Sequence, residues 1–288
     1  MISGLKKEFL FFLRGGRLAV VAIVMLALAV MSPLMFGAMS GMIDAMEGAM
    51  PDNEQYEQMT EMFTSFSASD MVMYNVEYVG GLGGLILLFL FKGAAGGEQK
   101  KRSVIIPQCA GLDAERYVIP KFLVYPPCVF AISVAAIFAG TGVSLIVFPG
   151  KLDMGLVCLS AISTGVYLAF TTAVQFCIGV CTGRSNLAVV SVIIMQTFLP
   201  SILSFFRVDR FNPTALYSIA LTAAQRSGET GNVLLSTLES ASVSDDISAL
   251  NVAVSLGTAI VISVLLYFVT VFTLHTQEVH NEGNEPIL

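Results

Sequence analysis

An all-α integral membrane protein with six transmembrane helices is what this sequence predicts, on three observations. Hydrophobic residues make up 55% of the 288 and charged residues 12%, and the mean hydropathy is +0.78. A soluble domain is roughly 45–50% apolar and about 25% charged, so a soluble globule built this way would lack polar groups to cover its surface. Five stretches carry no Asp, Glu, Lys or Arg: 26 residues between Arg17 and Asp44, 29 between Lys121 and Lys151, 30 between Asp153 and Arg184, 22 between Arg184 and Arg207, and 31 between Asp246 and Glu278. Each is long enough for a helix to cross the hydrocarbon core, which takes about 20 residues. A sixth span is shorter, with 14 charge-free residues at 78–91. It reaches full length if Glu77 sits at one interface and Lys92 snorkels to the other.

The elements follow in order. Residues 2–14 are amphipathic, with Ile2, Leu5, Phe9, Phe12 and Leu13 on one face and Lys7 and Arg14 opposite. This pattern suits a helix lying in the membrane interface. Gly15 and Gly16 favour a break before the first span over simple continuation. Arg14 and Arg17 interrupt the apolar stretch, which argues against a cleaved signal. The division expected is an interfacial helix over 1–17, a transmembrane domain over 18–276 and a tail over 277–288. Spans are expected at 18–39, 72–92, 121–147, 155–181, 186–206 and 250–274.

Orientation follows the Lys/Arg bias. With the N-terminus inside, 11 of the 15 basic residues lie in inner segments and 4, namely Lys151, Arg207, Arg210 and Arg226, lie outside. Both termini are therefore expected in the cytoplasm and the chain in the plasma membrane. Two outer loops are long. In the first, over 40–71, Tyr56, Met59, Phe63 and Phe66 recur at helical spacing among acidic residues, predicting a short amphipathic helix. In the second, Asn212-Pro213 reads as an N-cap and first helical residue, and Gly228 as a stop. The apolar stretch 214–224 gives this helix reason to dip back into the membrane.

Composition and motifs exclude several functions. A formal charge of −6 and a pI near 4.9 argue against nucleic acid as a partner, where a basic face is expected. The one Gly-Lys, Gly150-Lys151, is followed by Leu152, and Leu145 stands where a P-loop has its first Gly, so no Walker ATP site is present. No Gly-x-Ser-x-Gly or His-Glu-x-x-His occurs, and His275 and His280 are the only histidines. No catalytic residue and no metal ligand is expected. Cys109, Cys128, Cys158, Cys177 and Cys181 read as buried small hydrophobes rather than a disulfide framework. The methionines around the first outer loop, Met42, Met46, Met50, Met59, Met62, Met71 and Met73, read as adaptable packing in preference to Cu(I) ligands.

Gly37/Gly41, Gly80/Gly84, Gly93/Gly97 and Gly179/Gly183 have the spacing that lets membrane helices approach closely. Thr171, Gln175 and Gln196 are the candidate translocation surface. For the two glutamines, interhelical hydrogen bonding is the competing reading. Glu77 has two readings as well, a cation ligand or an interfacial carboxylate.

The most informative stretch is the inner loop over 93–120. Glu98, Lys101 and Arg102 carry charge early, Val104, Ile105 and Ile106 follow, Pro107 and Gly111 break the chain, and Asp113 is a good N-cap for the next helix. Helix, break and cap are more than membrane orientation needs. Here the sequence resembles the permease subunits of ABC-2-type transporters. Their loop after span two tends to open with Glu, pass through a short helix, turn at small and polar residues, and end in Lys. Glu98, Gly111-Leu112-Asp113, Arg116-Tyr117-Val118 and Lys121 match, although the Gly-Thr step common soon after the Glu is absent here. The six-span layout, the N-terminal helix and Asn212-Pro213 after span five also fit.

The resemblance implies that Glu98, Lys101, Arg102, Ile105, Gly111, Asp113, Arg116 and Lys121 belong to a coupling loop. That loop would dock on a separate ATPase, with ATP and Mg held there and not by this chain. It implies two ATPase copies, a second permease subunit, identical or homologous, and alternating access driven by ATP. The substrate expected is amphipathic, lipid-like or peptide, and its movement export, with membrane lipid around the spans. The rival reading is a self-standing secondary carrier or membrane substrate-binding module. Carriers often hold ionisable groups near the midplane, and the expected spans place none there.

Overall fold

The computed structural model describes residues 2–47, 66–94, 114–148, 150–206, 211–228 and 249–282. The described residues are almost wholly helical. Six of the helices are long and apolar enough to cross a membrane. In chain order they are α1 (Ile2–Arg14), α2 (Arg17–Glu47), α3 (Ala68–Phe91), α4 (Ala114–Val147), α5 (Met154–Thr182), α6 (Ser185–Phe205), α7 (Ala215–Arg226) and α8 (Ala249–Glu282). The spanning helices are α2, α3, α4, α5, α6 and α8; four of the six begin within one residue of expectation, while α4 begins seven residues early, at Ala114. Of the predicted amphipathic helix of the first outer loop only Phe66 is described, and it is not helical; α8 runs on to Glu282, into the expected tail over 277–288, and the residues after 282 lie outside the described ones.

A glycine pair makes the first break. Gly16 has φ of +70°, a left-handed conformation that favours glycine. The α1 helix then turns back onto the bundle. Its buried stripe is Leu5, Glu8 and Phe12, and only Phe12 is fully buried, while Phe9 and Leu13 stay 43% and 47% exposed. The expected apolar face is thus shared between the protein and its surroundings. The charged Glu8 takes a buried-stripe position that hydrophobic periodicity assigns to apolar residues.

The α5 helix is the hub. It packs against α3, α4, α6, α7 and α8, and 56% of its most apolar window is buried against 17% for α6 and for α8. Its sequence explains this. Ser160, Ser163, Thr164, Gly165, Thr171 and Thr172 are small, which brings neighbours close. The threonine hydroxyls are satisfied within the helix, as Thr164 Oγ1 donates to the Ser160 carbonyl at 2.9 Å and Thr172 Oγ1 to that of Leu168 at 2.7 Å, whereas the Ser160 and Ser163 hydroxyls are buried without a partner. Gly165 lies against the Phe130 ring, where a Cβ would come within 2.8 Å. Asp153 caps α5 by accepting from the Gly155 N–H at 2.8 Å, and Gly183 ends it at φ +62°.

The α3 helix starts four residues before the expected span. Ser67 forms a capping box: its Oγ accepts from the Asp70 N–H, and Asp70 Oδ2 accepts from the Ser67 N–H at 2.9 Å. Two placements follow. Asp70 lies inside a spanning helix, buried in its first turn. Glu77 sits nine residues into this helix, about 13 Å along the axis at 1.5 Å per residue. Directly after Glu77 the helix widens into a π turn, Tyr78–Gly83.

The α7 helix lies inside the bundle, with Leu216, Ala220, Ala223 and Ala224 fully buried. Asn212 Oδ1 accepts from the Thr214 N–H at 3.0 Å and its hydroxyl at 2.6 Å. Asn212 thus closes the turn that leads into the helix, but the N-cap expected at Asn212 falls at Thr214 and the helix begins at Ala215. At its other end the Ser227 carbonyl accepts from the Asp153 N–H at 2.8 Å. Gly228 meets Ser69 in the first turn of α3, whereas Tyr217 lies on Gly80 eleven residues further along. So α7 runs beside α3 for about 16 Å, into the depth of the bundle.

Candidate functional site

The expected coupling residues Glu98, Lys101, Arg102, Ile105, Gly111 and Asp113 lie outside the described residues. The backbone of Arg116 belongs to α4. What the structure does describe is where that loop is rooted, at the end of α3 and the start of α4. Lys121 is the expected site residue found there. It is fully buried, its Nζ lies 3.9 Å from Glu8 Oε1, and it donates to the Ala94 carbonyl at 3.5 Å. One ammonium thus joins α1, the end of α3 and the start of α4. A cation suits the end of α3, where helix carbonyls lack intrahelical donors. Arg17 lies beside Gly93 at the same end and sits over the Phe11 ring at 5.1 Å.

An aromatic cage backs this root. Phe12 of α1 lies 4.9 Å from Tyr125 of α4 and 5.9 Å from Phe91 of α3, and Tyr125 lies 4.8 Å from Phe176 of α5. Four helices therefore share one packed cluster beneath the two ends of the loop. Val118, Val180 and Leu274 pack together at this same end of the bundle. The start of α4 and the ends of α5 and α8 are therefore on the side of α1.

Of the candidate translocation residues, Gln175 is fully buried and its Nε2 donates to the Leu88 carbonyl of α3 at 2.6 Å. Its Oε1 is buried without a partner. Thr171 is buried and donates to the Leu168 carbonyl at 3.0 Å. Gln196 is half-buried on α6. The three do not share one hydrogen-bonded site, and Gln175 takes the interhelical role.

Sequence reasoning missed a second polar contact. Ser32 of α2 donates to Asn75 Oδ1 of α3 at 2.6 Å, and Asn75 Nδ2 donates to Ser144 Oγ of α4 at 3.3 Å. All three are fully buried. An Asn three residues inside an expected span was the available signal.

Glu77 is exposed on α3, and Tyr217 of α7 donates to its backbone carbonyl at 3.4 Å. The Tyr217 ring stacks on Tyr167 of α5 at 5.3 Å. Close approach here needs Gly80, since a Cβ would strike the Tyr217 ring, and Gly84 meets Leu168 of α5. Gly37 meets Val147, whereas nothing lies within 4 Å of a Cβ at Gly41. Among the described residues, no group of three or more His, Cys, Asp or Glu is placed to hold a metal. Cys128, Cys158, Cys177 and Cys181 carry free thiols.

Comparison with protein families, with curated proteins and with solved structures gives no match for this chain.

Proposed function

We propose that the chain is the permease subunit of an ABC transporter that resembles the ABC-2 type. It moves an amphipathic, lipid-like or peptide substrate outward, on ATP hydrolysed by a separate subunit. The observation that carries this reading is the root of the inner loop, where Lys121 ties Ala94 and Glu8 together above the Phe12 cage. Force applied to the loop by a docked ATPase enters α1, α3 and α4 at once, and α5 through Phe176. The buried α7 between the last two spans is a second support. The test is copurification with an ABC ATPase, followed by substrate-stimulated ATP turnover in reconstituted membranes. Glu98→Lys should leave the protein inserted but weaken ATPase retention or uncouple turnover from transport. Transport with no ATPase bound would overturn the reading.

One observation favours the stand-alone carrier. Glu77 is an exposed carboxylate well inside a spanning helix, and such groups commonly serve ion coupling. A carrier of this kind would lose proton- or cation-driven uptake in Glu77→Gln with no nucleotide present. Uptake that needs ATP in both proteins would exclude it.

A further inference from the structure

A cavity of about 600 Å³ lies between α4, α5 and α8, within the stretches of these helices that are apolar enough to span a membrane. Its floor is Phe170, Ala173 and Ala259, all nearly fully buried. Its mouth is set by Leu123, Ile260 and Val264, which are 51%, 58% and 50% exposed. The cavity therefore opens sideways, between apolar side chains, rather than along the helix axes.

Pro126 and Pro127 form one wall. Neither has an N–H, so the carbonyls of Phe122 and Leu123, four residues earlier, receive no helical hydrogen bond from them. Both of those residues also line the cavity. Opposite, Ala169 and Ala173 leave room that larger side chains would fill. The Ser263 hydroxyl is spent on the Ala259 carbonyl at 2.7 Å. The lining is thus apolar, with polar backbone only toward the Phe122 and Tyr267 end.

We propose that this cavity is a specific, saturable site for one acyl chain of a membrane lipid, with the lipid head at the Phe122 and Tyr267 end. Three points select that occupant. Water is disfavoured in a cavity that offers so few polar partners. A helix from another chain is about 10–12 Å across with its side chains and suits a flat or ridged face more than this recess. The mouth is continuous with the apolar, exposed faces of α4 and α8, where hydrocarbon is the solvent for a spanning helix, and the volume falls in the range of small-ligand sites. This proposal rests on the spans and not on the ATPase reading.

The chain has no tryptophan, which gives a clean probe. Phe130→Trp places one indole at the cavity wall, and Phe268→Trp places one on the exposed face of α8. Each variant, purified in excess detergent, is titrated with a phosphatidylcholine brominated in mid-chain. Quenching at position 130 should saturate at one lipid per chain, while position 268 should show no saturable quenching. Adding Ala169→Leu to the Phe130→Trp variant should weaken binding roughly tenfold, the worth of about two buried methylenes. Ala173→Leu serves the same purpose if Ala169→Leu elutes as aggregate. Linear, unsaturable quenching at both positions would overturn the site, as would saturable quenching that neither substitution weakens. Absence of quenching at position 130, as if another protein chain filled the cavity, would overturn it too.

Discussion

Lys121 Nζ stands 3.9 Å from Glu8 Oε1, and the two side chains are only 1% and 13% exposed. They lie 113 residues apart in sequence, yet they fasten the first helix to the root of the inner loop. Removing one member of a buried pair leaves the other charge unpaired and costs about 3–5 kcal/mol, whereas replacing both with apolar groups is often neutral. Glu8→Ala and Lys121→Met should each lower the unfolding midpoint in detergent, and the double variant should recover part of the loss. A double variant as poor as the sum of the singles would show that the pair is not coupled.

Asn75 joins α2 to α4 through Ser32 and Ser144. Hydrogen bonds of this kind between membrane helices are worth about 0.6 kcal/mol on average and up to about 1.7. Asn75→Ala should therefore destabilise by roughly 1–3 kcal/mol, counting two bonds and a small cavity. Gly140→Leu should be far worse. A Cβ at Gly140 already comes within 2.6 Å of the Ala29 carbonyl and 2.8 Å of Asn75 Nδ2. Thermal unfolding of purified protein ranks the two, and the reverse order would contradict the packing described.

Gln175→Leu separates structure from transport. The change loses the bond to the Leu88 carbonyl but also removes an amide oxygen that has no partner. These effects oppose each other, so stability should move by less than about 1.5 kcal/mol. A normal unfolding midpoint with transport abolished would give Gln175 a role in the substrate path. Normal transport would leave it as interhelical glue.

Membrane orientation has a direct readout. In a cysteine-free background, Asn53→Cys and Thr230→Cys should react with an impermeant thiol reagent applied outside. Gln99→Cys and Asn284→Cys should not. Labelling of Gln99→Cys from outside would reverse the orientation and remove the loop from any cytoplasmic ATPase.

The spans were legible because lipid-compatible helices must exclude charge over about 20 residues, and that exclusion is visible in one dimension. How far into its helix Glu77 lies was not legible. It depended on Ser67 and Asp70 closing a capping box, which turned an apparent loop with a carboxylate into the first turn of α3. Gln175 could be read as polar and interhelical, but its partner is a backbone carbonyl 87 residues away, and sequence carries no mark of it. The buried stripe of α1 was misjudged for a similar reason. Glu8 faces Lys121 there, and that lysine arrives from α4, 113 residues away in sequence.

The π turn at Tyr78–Gly83 acts as a phase shifter. A π turn holds more residues than an α turn, so the two halves of α3 are rotated relative to each other by roughly one residue, about 100°. Deleting one residue, such as Gly81, would remove the surplus and keep the facing of Gly84–Phe91, whereas closing this turn into regular α-helix at full length would swing them about 100° around the axis. Phe91 would then leave the Phe12 and Tyr125 rings, and the Leu88 carbonyl would turn from Gln175. One residue of surplus in the middle of α3 thus sets the angular register of the segment that leads into the inner loop.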